Sequence, residues 1–217
     1  MIVTYQLSHY DSRHRMKRDY PTQQSRSFVK AFLQLLYCLM SNLSQSIIDF
    51  TNTSRTCAAE NEAWCDIGHP GLSSRDDTVL LIAGSNVAGY PPSEMLADEK
   101  GIIVGTSSTA VAVGDDNLVT PIANGSAASQ FTYYGCWGLN YTTGASSASF
   151  DVERIFRNDS GGSITVAEIG MYAGTMLAAV TAPLGFSFCI LRDVISPTVA
   201  VANGEYLKVK YTITVSN

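Results

Sequence analysis

Apolar side chains recur every three or four positions between residues 25 and 50. The stripe consists of Phe28, Phe32, Leu35, Leu36, Leu39, Leu43 and Ile47. This spacing predicts an amphipathic α-helix, because one helical turn takes 3.6 residues. We expect the helix to begin at Ser25, a favourable N-cap residue, and to end near residues 47–50. The stripe is wide enough to contact a neighbouring copy as well as its own domain, although packing on its own domain alone explains it equally well.

After residue 78 the pattern changes to alternation and turn residues. Residues 206–215 alternate cleanly, with Leu207 and Val209 on one face and Lys208 and Lys210 on the other. Such alternation is typical of an antiparallel sheet with one solvated face. Short strands between regularly spaced turns predict an antiparallel β-sandwich. The other predicted strands are 101–106, 110–113, 130–139, 149–156, 163–172, 186–192 and 197–201, and we expect 149–156 and 163–172 to form a hairpin.

These patterns divide the chain into three parts. Residues 1–20 are polar and show no period, so residues 1–50 are predicted to form an N-terminal arm and anchoring helix. Residues 51–77 are predicted to be a linker or loop, and residues 78–217 a β-sandwich that folds without the arm. The predicted fold is therefore mainly β, an antiparallel β-sandwich with an N-terminal arm and one amphipathic α-helix.

The charge composition adds a reason to expect assembly. Charged residues make up 15% of the chain, against about 25% in typical soluble domains, and a subunit covered by its neighbours needs less charge to stay soluble. Residues 1–30 hold six basic and two acidic side chains, which give them a net charge of +4. The remaining residues have a net charge of −9, so the whole chain has a net charge of −5. A basic segment on an acidic body suggests docking onto a negative surface, and a solvated tail is the alternative.

No catalytic motif, metal-ligand pattern or cofactor fingerprint occurs in the sequence, so we predict no enzyme, no metal and no cofactor. The chain has five cysteines and no CxxC pair. Cys57 and Cys65 are the only candidate disulfide, and free thiols are the favoured interpretation. The adjacent carboxylates Asp115 and Asp116 are expected to lie in a solvated turn rather than to bind calcium.

Glu168 has the same parity as the apolar residues Ile164 and Val166 in its predicted strand. A carboxylate on the apolar side of a sheet needs a charged or hydrogen-bonding partner. Arg154 in the preceding predicted strand is the natural candidate, so we expect a structural ion pair between Arg154 and Glu168.

A cluster of aromatic residues suggests a second kind of surface. Aromatic rings pack on the apolar faces of sugars, so such a cluster is a candidate glycan platform. Burial in the core or in an interface is the commoner reason for aromatic clusters. The cluster comprises Tyr133, Tyr134, Trp137 and Tyr141.

Residues 154–172 carry a recognisable pattern. They fit R-x-F-x-N-x-S-G…I-T-V-x-E-x-G-L-Y, with Met171 in the place of Leu. This pattern, with Gly101–Thr106 and Asp115–Leu118, resembles virion structural proteins of tailed bacteriophages. The resemblance implies a non-enzymatic subunit in the virion, assembled in the host cytoplasm. Its implied partners are copies of itself and other virion proteins, with a host surface glycan as a further candidate.

Taken with the helix and the basic segment, the resemblance predicts an assembly interface at the N-terminal part of the chain. We expect neither a membrane span nor sequence-specific binding of nucleic acid. The alternative function is a carbohydrate- or receptor-binding β-sandwich module. The predicted interface residues are Arg15, Lys17, Arg18, Phe28, Phe32, Leu36, Leu39 and Leu43.

Overall fold

The computed structural model describes residues 1–25, 28–41, 45–57, 100–177 and 184–217. This part of the chain is mainly β, with antiparallel sheets packed together in a sandwich-like arrangement. Its single helix is α1 (Lys30–Ser41). The strands are β1 (Ile2–Tyr10), β2 (Met16–Asp19), β3 (Gln23–Ser25), β4 (Gln45–Ile48), β5 (Ser54–Cys57), β6 (Gly101–Gly105), β7 (Thr132–Thr143), β8 (Ser147–Arg157), β9 (Ile164–Leu177), β10 (Leu184–Val201) and β11 (Tyr206–Ser216).

The larger sheet runs in the order β2-β1-β11-β8-β7, with β3 also paired to β1. The smaller sheet runs in the order β10-β9-β6. Side chains connect the two sheets across the core. Tyr211 of β11 donates a hydrogen bond to Asp193 of β10 at 3.1 Å, and Arg154 of β8 donates to the Ile102 carbonyl of β6 at 3.0 Å. The predicted antiparallel β-sandwich is therefore confirmed at the level of a mainly β, sandwich-like fold.

The N-terminal residues are a strand, and the expectation of a polar arm without period is wrong for them. Val3, Tyr5 and Leu7 alternate and are buried. All nine residues of β1 are in antiparallel register with β11. Because β1 lies inside the larger sheet, residues 2–10 belong to the sandwich rather than to a separate arm.

The helix ends earlier than its apolar stripe predicts. Residues 45–48 form β4, which pairs with β5 in a hairpin. Two physical features favour a strand here: the β-branched residues Ile47 and Ile48, and the following turn. The Asp49 carboxylate accepts hydrogen bonds from the N–H groups of Thr51 and Thr53, each at 2.9 Å. The remainder of the predicted loop, residues 58–77, and the boundary at residue 78 lie outside the described residues.

The expected hairpin of residues 149–156 and 163–172 is also wrong. Strand β8 belongs to the larger sheet and β9 to the smaller one, so the turn between them crosses from sheet to sheet. Asn158 fixes this crossing, since its amide donates to the carbonyls of Gly162 at 2.8 Å and Val201 at 2.7 Å. Residues 110–113, expected as a strand, lie in the connection between β6 and β7.

Candidate functional site

Glu168 is buried, as its parity predicts, but its partner is Arg192. Both side chains are fully buried, and Arg192 Nε lies 2.9 Å from Glu168 Oε2. The backbone N–H groups of Val119 and Thr120 donate to the same carboxylate at 3.2 and 2.8 Å. The pair therefore holds the segment after β6 against the smaller sheet.

Arg154, the expected partner of Glu168, has other contacts. The prediction of this pairing assumed that β8 and β9 are neighbours, whereas they lie in different sheets. Arg154 donates to the carbonyls of Tyr134, Lys100 and Ile102 at 2.8, 2.8 and 3.0 Å. Its guanidinium also stacks over the Tyr133 ring, 4.7 Å from the centroid. These contacts give it a structural role within the core.

The adjacent carboxylates Asp115 and Asp116 each face a cation. Arg192 Nη1 lies 2.7 Å from Asp115 Oδ2, and Lys30 Nζ lies 3.1 Å from Asp116 Oδ1. Among the residues that the structure describes, no group of three or more His, Cys, Asp or Glu side chains is arranged to hold a metal ion. The pair thus links α1 and β10 to the turn between β6 and β7.

The basic side chains of the predicted interface contact this chain's own residues. Arg15 pairs with Asp11 at 2.7 Å, and Lys17 pairs with Glu205 at 2.6 Å. Arg18 lies over the ring of Tyr20. All four residues of β2 are exposed, so charged groups line this edge of the larger sheet, and charge at an edge discourages pairing with other strands.

The helical part of the predicted interface has two sides. Phe28 and Phe32 are half-buried against the core, with ring centroids 4.4 Å apart. Leu33 and Leu36 are instead 62% and 39% exposed. Leu39 and Leu43 lie outside the described side chains. The helix therefore packs one side on its own domain and presents apolar groups on another.

The predicted glycan platform is divided between core and surface. Tyr133 is buried, and its hydroxyl donates to the Ile122 carbonyl at 2.5 Å. Tyr134 and Trp137 are 40% and 43% exposed, and Tyr141 is 74% exposed. Strand pairing places Trp137 opposite Glu153 of β8, so Trp137 lies on the solvent side of the larger sheet. The four aromatic residues thus do not form one surface.

A cleft on this solvent side contains Tyr134 together with residues that the sequence interpretation missed. We call it the tyrosine cleft, and its volume is about 340 Å³. Strand register brings its floor together, because Tyr10 is opposite Tyr206 and Lys208 is opposite Ile155. The alternation of residues 206–215 places Tyr206 and Lys208 on the outward face of their strand. It does not predict which strands pair with that strand. The cleft is lined by Tyr10, His14, Tyr134, Glu153, Ile155, Tyr206 and Lys208.

The charges in the tyrosine cleft are paired. Lys208 Nζ lies 3.3 Å from Glu153 Oε2, and both side chains are about three-quarters buried, at 27% and 23% exposed. Partial burial acts to lower the pKa of Lys208, but the Glu153 carboxylate and the Tyr10 hydroxyl outweigh it and hold that pKa above its ordinary value. The ammonium group is therefore charged at neutral pH and next to a carboxylate.

Among the cysteines whose side chains the structure describes, Cys136 and Cys189 are free thiols, and both are buried. Burial raises the pKa of Cys136, and it raises that of Cys189 to about 12. Such thiols stay protonated and unreactive at neutral pH. The candidate pair of Cys57 and Cys65 falls outside the described side chains.

Comparison with known proteins adds no family to this description. No protein-family model matches the chain, no curated protein matches its sequence, and no solved structure matches its fold. The likeness to virion structural proteins therefore rests on the sequence pattern alone. Within the described residues, no helix is both long enough and apolar enough to cross a membrane.

Proposed function

We propose that this chain is a non-enzymatic structural subunit that assembles in repeated copies, of the kind that builds the virions of tailed bacteriophages. The pattern in residues 154–172 supports this proposal, as does the low share of charged residues, 15%. The proposed partners are copies of itself and other virion proteins. The proposed location is the virion, which is assembled in the host cytoplasm.

The observation that carries the proposal is the exposed apolar side of α1. Leu33 and Leu36 lie three positions apart, on neighbouring turns of the helix, and both are exposed. Removing apolar surface from water stabilises a contact by about 25 cal/mol per Å². Val29, Ala31 and Leu35 are buried and hold the helix on its own domain. A helix anchored in this way presents a fixed apolar surface to a neighbouring copy.

In the proposed assembly the helix, rather than a free arm, makes the contact between copies. Among the described residues of the N-terminal part, β1 lies within the sheet, whereas the exposed side of α1 and the charged β2 edge face outward. Closed rings of identical subunits repeat the same contact at every interface. A modest apolar contact is thereby multiplied by the number of subunits.

The test is a double substitution, Leu33→Glu with Leu36→Glu, in the full-length chain. Sedimentation velocity should show oligomers for the unchanged chain and mainly single copies for the variant, because two charges would be buried at each contact. Val215→Glu is the matched control, since Val215 is 56% exposed at the end of β11. It should leave the oligomers intact. An unchanged chain that stays monomeric at high concentration contradicts the proposal, as does a double variant that still assembles.

A further inference from the structure

We propose that the tyrosine cleft binds a neutral saccharide. Its volume of about 340 Å³ is at the small end of the range for ligand pockets, about 300–1,000 Å³. The cleft therefore suits a small ligand rather than a protein segment. It lies on the solvent side of the larger sheet, so this binding would be separate from assembly through α1.

The walls of the cleft match the faces of a sugar ring. Tyr134 is 40% exposed at one side, and Ile155 is 37% exposed on the floor. Tyr206 is buried behind them, with its ring centroid 6.5 Å from that of Tyr134, so Tyr134 supplies the exposed aromatic face. Tyrosine offers an apolar face and a polar hydroxyl in one side chain. Such a surface can pack on the C–H groups of a sugar while bonding to its hydroxyls.

The charges in the cleft favour a ligand without net charge. Lys208 repels a cation and Glu153 repels an anion, while the two groups balance each other at 3.3 Å. The ammonium group is a hydrogen-bond donor only, and the carboxylate is an acceptor only. A hydroxyl group both donates and accepts. Neighbouring hydroxyls of a neutral sugar can therefore donate to Glu153 and accept from Lys208. A charged ligand would instead be repelled by the residue of like charge.

The β1–β2 turn holds one wall of the cleft in place before any ligand binds. His14 has a positive φ of 58°, which is uncommon for a residue with a side chain. The Asp11 carboxylate holds this turn by accepting from the N–H groups of Arg13 and Arg15, each at 2.9 Å. As a result the His14 ring lies on that of Tyr206, with centroids 4.4 Å apart. A wall ordered in advance lowers the entropy cost of binding.

The test is a screen of the full-length chain on an array of neutral and sialylated glycans, followed by calorimetric titration with the neutral glycan that binds best. Tyr134→Ala should weaken binding by about tenfold or more, which corresponds to about 1.4 kcal/mol. Glu153→Gln should weaken it as well. Tyr141→Ala is the matched control, because Tyr141 is on the same strand, is 74% exposed and does not line the cleft. Its affinity should stay within about twofold of the unchanged chain.

Three outcomes would overturn the proposal: no neutral glycan bound on the array, preference for sialylated glycans, or equal affinities for Tyr134→Ala and Tyr141→Ala. Circular dichroism of each variant checks that it is folded. Sedimentation velocity of Tyr134→Ala should match that of the unchanged chain, because α1 packs on β10 and β4, whereas Tyr134 is in β7 at the edge of the larger sheet. A Tyr134→Ala variant that loses glycan binding but still assembles separates the two proposals. A Leu33→Glu, Leu36→Glu variant that binds glycan but does not assemble separates them as well.

Discussion

At the scale of single residues, the Glu168–Arg192 pair shows how buried charge is retained in this protein. The carboxylate accepts from the guanidinium and from two backbone N–H groups. The chain passes very close to it at Gly105, where a Cβ atom would lie 2.6 Å from Glu168 Oε1 and from the Thr120 carbonyl. Only glycine fits at that position without displacement. The buried pair thus depends on its surroundings for both hydrogen bonds and space.

Replacing Glu168 by Gln should destabilise the protein by about 1–3 kcal/mol or more, because Arg192 would lose its fully buried carboxylate partner and keep only the partly exposed Asp115. Urea-induced unfolding measures the change. Lys30→Gln is the control, since its contact with Asp116 involves a lysine that is 43% exposed. It should cost less than about 1 kcal/mol. Equal losses for the two variants would show that burial does not strengthen the Glu168–Arg192 pair.

At the level of secondary-structure elements, β1 makes the N-terminal residues part of the larger sheet. Its composition is polar enough to resemble a solvated arm, with Thr4, Gln6 and Ser8 among its residues. The alternate positions Val3, Tyr5 and Leu7 nevertheless face the core. A strand in the middle of a sheet with one solvated face needs apolar residues only at every second position. The alternation of Val3, Tyr5 and Leu7 is short, and the basic residues that follow it are typical of a solvated arm.

Leu7→Ala should therefore destabilise the protein by about 2–5 kcal/mol, the usual cost of truncating a buried leucine. The neighbouring change Gln6→Ala should cost about 1 kcal/mol or less, because Gln6 is only half-buried and its side-chain hydrogen bond, to Asp19, is exposed. Thermal or urea unfolding of both variants gives the comparison. A solvated arm would instead give small and equal effects at the two positions.

At the scale of the whole molecule, several ionisable groups are buried where the two sheets meet. Burial raises the pKa of Tyr5 to about 12, with a further contribution from the charge of Asp193. Burial also raises the pKa of Cys189 to about 12 and that of Tyr211 well above its ordinary value. In the unfolded chain these groups would ionise near their ordinary values, about 8.5 for a thiol and about 10 for a tyrosine.

The free energy of unfolding should therefore fall as the pH rises above about 9. Folded-state pKa values above the unfolded ones mean that the unfolded chain binds fewer protons in this range, so alkali favours unfolding. Each such group contributes a slope of up to about 1.4 kcal/mol per pH unit. Cys189→Ala should reduce the slope between about pH 9 and 11, as measured by urea unfolding at each pH. Ile190→Val, a change at a buried residue without a titrating group, should leave the slope unchanged.

The residue pattern was sufficient to predict the features that depend on near neighbours along the chain. Alternation predicted β8, β9 and β11, residues 101–106 were also predicted as a strand and form β6, and the parity of Glu168 correctly indicated a buried carboxylate in need of a partner. These signals are local, because side chains alternate between the faces of a strand at every second residue. The sequence also indicated the helix, although the β-branched residues at its expected end belong to β4.

Which strands lie side by side depends on packing across the whole fold. The pairing of β1 with β11 joins the two ends of the chain, and the crossing at Asn158 sends β8 and β9 into different sheets. Arg192 rather than Arg154 became the partner of Glu168 for that reason, and Tyr10, Tyr134 and Tyr206 came together on one surface. Strand pairing between distant segments depends on how whole faces pack against each other, and alternation along one segment carries no information about its neighbour.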